Sequence, residues 1–107
     1  MNREQIYDFD PMSVEESVVL RFPFDDELVP GVTLTGTPAV TVTQVAGGTT
    51  DPTPQDLVAD VTDYPANGFV EVAILGRFKS ATYEIRVTHP TSNPLLRLRR
   101  IGHISVF

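Results

Sequence analysis

Apolar and polar side chains alternate with a period of two along most of the chain from residue 17 onward. In residues 18–24 (VVLRFPF) the apolar positions 18, 20, 22 and 24 fall on one face of a strand, because successive strand side chains point to opposite sides. Pro23 stands on the other register and has no N–H to give a ladder, which predicts a sheet edge or a strand end. Asp25-Asp26-Glu27 closes the strand and Pro30-Gly31 turns the chain. Residues 32–35 and 39–45 are built of alternating Val and Thr. Such β-branched residues suit a pleated, half-buried surface and fit a helix poorly. Residues 46–54 (AGGTTDPTP) read as a mobile surface loop.

Leu57, Ala59 and Val61 share one face of a further short strand, and residues 63–68 (DYPANG) read as a turn. Asn67-Gly68 there supplies the positive φ that tight turns demand. Residues 69–75 (FVEVAIL) put Val70, Val72 and Ile74 on one face. Residues 82–88 (TYEIRVT) form the cleanest amphipathic strand, with Tyr83, Ile85 and Val87 inward and Thr82, Glu84, Arg86 and Thr88 outward. The six-residue connection between these two strands is too short for a crossover helix, which predicts that they pair antiparallel. In residues 95–107, Leu96 and Leu98 alternate with Arg97 and Arg99 before Ile104 and Val106. The inward register shifts around residues 100–102 or is lengthened by a residue, for which a β-bulge at Gly102 is one explanation. About seven strands at spacings of roughly 8–12 residues describe an all-β sandwich. Helix is confined to one turn at residues 12–17, where Pro11 precedes a Ser13-x-x-Glu16 capping-box spacing.

The chain has 107 residues, enough for one core and too few for two. With 41% hydrophobic and 21% charged residues it is neither a disordered tail nor a membrane protein. Residues 28–50 are uncharged but too rich in Thr, Gly and Pro to span a bilayer. Residues 1–5 lack the charged-then-apolar pattern of a secretion signal, so synthesis in a cytoplasm is expected. No cysteine is present, which removes disulfides, thiol catalysis and cysteine-bound metals. The formal charge of −6 argues against direct nucleic-acid binding, which needs a basic footprint.

Charge is divided unevenly. Residues 1–64 carry 12 acidic and 2 basic side chains, and residues 65–107 carry 2 acidic and 6 basic. Either the two halves neutralise each other as neighbouring strands, or they form a bipolar surface on which copies dock head to tail.

Residues with chemistry in them do not assemble into a reaction centre by spacing. His89 and His103 lie 14 positions apart with no further ligand at metal-site spacing, and read as packing or surface histidines. Asp25-Asp26-Glu27, with Asp60 and Asp63, lacks the calcium-loop pattern and reads as a solvated acidic turn. Ser80 and Ser105 have no nucleophile-elbow context, and Gly47-Gly48 lacks the lysine and helix of a phosphate loop. The expectation is a non-enzyme without cofactor or metal.

Two segments stand out for binding instead. Residues 1–12 interleave Ile6, Tyr7, Phe9 and Met12 with acids, as an edge strand of the sandwich or an arm laid on a partner. Residues 13–107 then make up the single sandwich domain. Arg97, Arg99 and Arg100 form the one dense basic feature, either paired with the acidic half or docking an acidic protein. Tyr64, placed in a turn, is the one exposed aromatic suited to a sugar.

Asp10-Pro11 followed by residues 18–25 (VVLRFPFD) and a Val/Thr-rich pair of strands resembles a group of small phage-encoded proteins. Leu75-Gly76, residues 81–88 (ATYEIRVT), Thr91-Ser92 and the Arg-rich final strand ending Ile104-Ser105-Val106 match their C-terminal half. The resemblance spans about residues 9–106 and departs at Asp26, where the family has an aromatic residue, at residues 75–80, where it has Gly-Gly, and at the 46–54 insertion. It implies a single immunoglobulin-like antiparallel sandwich and a structural role in a tailed-phage virion, as a tail-fibre adaptor, neck protein or head decoration. The partners implied are other virion proteins (portal or neck, tail, fibre, major capsid protein), met in multiple copies, with no nucleic acid or membrane contacted. An immunoglobulin-like adhesion module that binds surfaces or glycans is the alternative.

Overall fold

The computed structural model describes residues 6–47 and 49–107, the Glu27 side chain excepted. Among these residues seven strands form two sheets. They are β1 (Ile6–Asp8), β2 (Ser17–Pro23), β3 (Ala39–Ala46), β4 (Val58–Tyr64), β5 (Phe69–Leu75), β6 (Thr82–Pro90) and β7 (Arg97–Ser105). One sheet has the order β1-β7-β6-β3 and the other β2-β5-β4. Strands 2, 5 and 4 facing strands 3, 6 and 7 is the seven-strand immunoglobulin arrangement, here with the first strand moved onto the edge of the last. The fold is therefore an all-β, immunoglobulin-like sandwich. It is not wholly antiparallel, because β1 runs parallel to β7.

The period-two pattern locates the core well. Leu20, Phe22 and Phe24 from the β2 region, Val70, Val72 and Ile74 from β5, and Tyr83, Ile85 and Val87 from β6 are all buried between the sheets. Each contributes on the order of 1.5–3 kcal/mol by leaving water. Pro23 ends β2, which is itself an edge strand. Gly68 has φ +77° in the β4–β5 turn, and its carbonyl accepts the Phe24 N–H at 2.7 Å. At residues 13–16 the capping box closes a single turn and no helix: the Ser13 N–H donates to Glu16 Oε1 at 2.6 Å, and the Glu15 N–H to Ser13 Oγ at 3.1 Å.

Four expectations are corrected. First, β5 and β6 do not pair; they belong to different sheets. Each already has two neighbours, and residues 76–81 step from one sheet to the other across a gap of about 10 Å. Second, residues 32–35 form no strand. Leu34 makes an isolated bridge to Thr91, and the segment is held by Thr35 N–H to the Pro90 carbonyl and Ser92 N–H to the Thr33 carbonyl. Pro30-Gly31 and Gly36, Pro38 leave it too short to ladder.

Third, the β6–β7 register runs unbroken, so there is no bulge at Gly102. The inward positions of β7 are Leu98, Arg100, Gly102 and Ile104, and the hydrophobic pattern breaks there because one is charged and one has no side chain. Gly102 is required by crowding: a Cβ there would collide with the Phe9 ring and stand 2.9 Å from Phe22. The register shifts lie in β3 at Gln44/Ala46 and in β4 at Val58/Asp60. Fourth, β4 includes Asp63 and Tyr64, assigned above to a turn, while Leu57 closes a 3-10 helix, Pro54–Leu57. Val61 consequently faces Val72 at an open edge and stays partly exposed.

Residues 49–54 are pinned, not loose, and Gly48 of that segment lies outside the described residues. Asp51 is buried, and its carboxylate accepts from Arg77 Nε at 2.9 Å, from a second Arg77 nitrogen at 3.0 Å and from the Tyr83 hydroxyl at 2.8 Å. Gln44 holds the same loop by accepting the Asp51 N–H and donating to the Thr49 carbonyl. The Arg77 hydrogen bond pulls the Asp51 carboxyl from 3.8 to about 2, helped by Thr53 N–H and Tyr83 against the opposing effect of burial. Burial first, then the bond to Asp51, pushes the Tyr83 phenol up to about 12.

This cluster makes acid stability depend on one residue. The folded carboxyl titrates below its unfolded value, so its stabilisation is present above pH 4 and is lost as pH falls from about 4 to about 2. Asp51→Asn should lower stability at pH 7 by about 2–3 kcal/mol, since it leaves Arg77 without its counter-charge. It should also remove that part of the acid slope, read as urea midpoints between pH 6 and pH 2.

Candidate interaction face of the four-stranded sheet

The outer side of the β1-β7-β6-β3 sheet carries the outward half of each alternating strand. The ladder registers set its rows: Ala39, Thr88 and Arg99; Thr41, Arg86, Ile101 and Ile6; Thr43, Glu84, His103 and Asp8. Hydroxyl-bearing residues dominate the β3 side, arginines the β7 side. At the centre Glu84 accepts from Arg86 Nε at 2.8 Å and from His103 Nε2 at 3.0 Å. Its carboxyl is held below the usual range, mainly by the His103 hydrogen bond and also by Arg86, with burial working against them. Arg97 and Arg99 are exposed beside this cluster, and the Arg86 side chain is 48% exposed. Three guanidinium groups thus share one face whose backbone is fixed by ladder hydrogen bonds.

The residues singled out in the sequence separate here. Ile6, 51% exposed, lies on this face opposite Ile101. Tyr7 and Phe9 are half-buried: Tyr7 stacks on Phe9 with ring centres 6.5 Å apart, and Phe9 packs edge-on against Phe22 at 5.4 Å. They hold the first strand onto the core, so within the described residues the N-terminal segment is an edge strand and not an arm. Residues 1–5 of that segment lie outside the described residues.

Arg100 is corrected outright as a contact residue. It is 3% exposed, its Nε donates to the Pro23 carbonyl at 2.9 Å, another nitrogen reaches Asp26 at 2.8 Å, and its guanidinium lies 5.3 Å from the Phe24 ring centre. The even-numbered inward register of β7 carries it into the interior, where it joins that sheet to the end of β2. No sequence spacing joins Glu84, Arg86 and His103 into a cluster. The outward alternation of residues 82–88 exposed the first two, but only the pairing of β6 with β7 brings His103 across.

Part of the uneven charge is met by pairs within the molecule. Arg100–Asp26, Arg77–Asp51, Arg21–Glu71 and His89–Asp63 each join the acid-rich half to the base-rich half. His89 is fully buried; its Nε2 donates to the Asp63 carboxylate at 3.0 Å, and Nδ1 lies 2.8 Å from the Pro90 carbonyl oxygen. The acidic residues 26 and 63 are thus partners of internal bases, and Asp63 belongs to a strand. Among the described residues no three histidine or acidic side chains come together as a metal site, and no helix is long and apolar enough to cross a membrane.

On the opposite sheet Tyr64 closes β4, 37% exposed, with its ring 4.8 Å from Phe69. Arg21 covers the Phe69 ring at 4.2 Å. Comparison of the chain with protein-family models, with curated proteins and with solved structures finds no match.

The two kinds of arginine should respond differently to truncation. Arg100→Ala strands the Pro23 carbonyl and uncovers Phe24, and should destabilise the fold by about 2 kcal/mol. Arg97→Ala should stay within about 0.5 kcal/mol of the wild type. Chemical denaturation of the two variants makes the comparison.

Proposed function

We propose that the chain is a non-enzymatic structural domain that binds acidic surfaces of neighbouring proteins through the outer face of its four-stranded sheet, as a component of a tailed-phage virion. The observation that carries this reading is the grouping of Arg86, Arg97 and Arg99 on one rigid face of a molecule whose net charge is −6. A basic face on an acidic body orients an approaching acidic partner, because the rest of the surface repels it. Arginine suits the task, since its planar fork pairs with carboxylates in two places at once. Exposed Ile6 on the same face adds apolar contact area.

A domain this small offers a modest area per contact. Repetition of that contact around a ring or lattice supplies the rest through effective concentration. The resemblance to small immunoglobulin-like virion proteins supplies the setting, with portal or neck, tail, fibre or major capsid proteins as the partners. A second reading, a glycan-binding adhesion module, draws on the Tyr64–Phe69–Arg21 cluster, which offers one partly exposed ring.

The test is incorporation into particles. Assembled virions should contain the chain in a fixed ratio to their structural proteins, by quantitative mass spectrometry. An Arg97→Glu/Arg99→Glu chain, folded by circular dichroism, should be incorporated at least about tenfold less, as expected when like charges replace attraction. Incorporation equal to wild type rules out the arginine face. A glycan-array signal abolished by Tyr64→Ala, with no incorporation into particles, moves the assignment to the second reading.

A further inference from the structure

Each sheet of an open sandwich ends in strands with unpaired backbone groups, and such edges invite pairing with another chain. Here the edge strands are β1, β3, β2 and β4. Three of them carry deterrents. β1 has Asp8, β2 has Arg21 and Pro23, and β4 has Asp60, Asp63 and a register shift. Charges, proline and bulges all oppose strand addition.

β3 has the weakest: neither charge nor proline interrupts it, and its register shift falls at its far end, between Gln44 and Ala46. Its eight residues, AVTVTQVA, contain no charge and no proline, and Val and Thr give it high β propensity. Thr41 and Thr43 are exposed on its outer face, and Val45 is exposed as well. A strand of this composition on an open edge is an association hazard.

The structure shows what occupies that edge. The side-chain amide of Gln55 lies against it: its oxygen accepts the Val42 N–H at 3.0 Å, and its nitrogen donates to the Val40 carbonyl at 2.9 Å. One N–H given to the carbonyl of residue i and one carbonyl given to the N–H of residue i+2 are what a single residue of a parallel neighbouring strand presents. Gln55 therefore stands in for a strand. It is held there by the 3-10 helix Pro54–Leu57, anchored through fully buried Leu57, while Gln44 ties Thr49 and Asp51 back to the end of β3.

We propose that β3 is a concealed self-pairing edge gated by Gln55, and that its occupant, once the amide lifts away, is β3 of a second copy of this chain. Identity of the partner follows from composition. Two uncharged strands meet antiparallel without repulsion, and Val and Thr side chains pair favourably across such a junction. The two-fold arrangement closes on itself, joining two four-stranded sheets into one of eight. The arginine face plays no part in this contact, so the inference stands apart from the virion reading.

Sedimentation of Gln55→Ala against wild type is the test. The variant should keep its β-sheet circular dichroism and dimerise at least about tenfold more tightly, the effect of no longer displacing two hydrogen bonds. Adding Thr43→Lys near the middle of β3 should return it to a monomer, because two like charges then face each other. Where the alanine variant fails to fold, Gln55→Asn carries the same expectations, since it keeps the amide but cannot reach the edge. A folded Gln55 variant that sediments like wild type overturns the proposal. So does a dimer that Thr43→Lys leaves intact.

Discussion

The two sheets of this sandwich are joined at both ends by buried or half-buried polar bridges, and the rest of the structure depends on them. An immunoglobulin-like sandwich can be cross-linked by a disulfide, but this chain has no cysteine. At one end Arg100 of β7 reaches the Pro23 carbonyl and Asp26 after β2, and His89 of β6 meets Asp63 of β4. Phe24 lies between them, edge-on to His89 at 5.9 Å and under Arg100. At the other end Asp51 joins Tyr83 of β6 to Arg77, tying together the two connections that pass between the sheets near that end. Each bridge satisfies buried polar groups that would otherwise oppose burial. Among the described residues no buried side-chain nitrogen or oxygen lacks a partner.

These bridges also decide which charges are left for the surface. Asp26, Asp51 and Asp63 are held by internal bases, as are Arg77 and Arg100 by internal acids. Strand order thus brings part of the two unlike halves together, because acids from β4 and from the connections after β2 and β3 meet bases from β6, β7 and the β5–β6 connection. The outer face of the four-stranded sheet displays Arg86, Arg97 and Arg99 together with Asp8, with Glu84 bonded to Arg86 and His103.

Strands with strict alternation were legible from sequence: the inward faces of β2, β5 and β6 follow directly from hydrophobic spacing. Sheet membership was not, because a short connection is equally compatible with a hairpin and with a step between sheets, and residues 76–81 take the step. β7 hid its register because Arg100 and Gly102 occupy inward positions that the pattern expects to be apolar. An arginine can lie inside only if a carbonyl and a carboxylate await it, and a glycine only if aromatic rings fill its space. Neither condition is local. Asp51 escaped notice for the same reason, since Arg77 and Tyr83 are 26 and 32 residues away. Of the binding candidates, Ile6, Arg97 and Arg99 do lie at the surface, whereas Tyr7, Phe9 and Arg100 serve packing.

The arginine face and the β3 edge differ in the forces they use, and that difference separates them in solution. Attraction between exposed charges is screened over about 10 Å at 0.1 M salt and about 3 Å at 1 M. Docking through Arg86, Arg97 and Arg99 therefore weakens steeply as ionic strength rises. Strand pairing through β3 rests on backbone hydrogen bonds and Val/Thr contacts from a segment without charge, and salt does not screen these. A chain of charge −6 also repels its own copies, and added salt relieves that repulsion. Raising the salt should accordingly release the domain from an acidic partner while leaving a β3-paired dimer intact or tighter. A self-association that dissolves in 1 M salt would belong to the charged face and not to the edge.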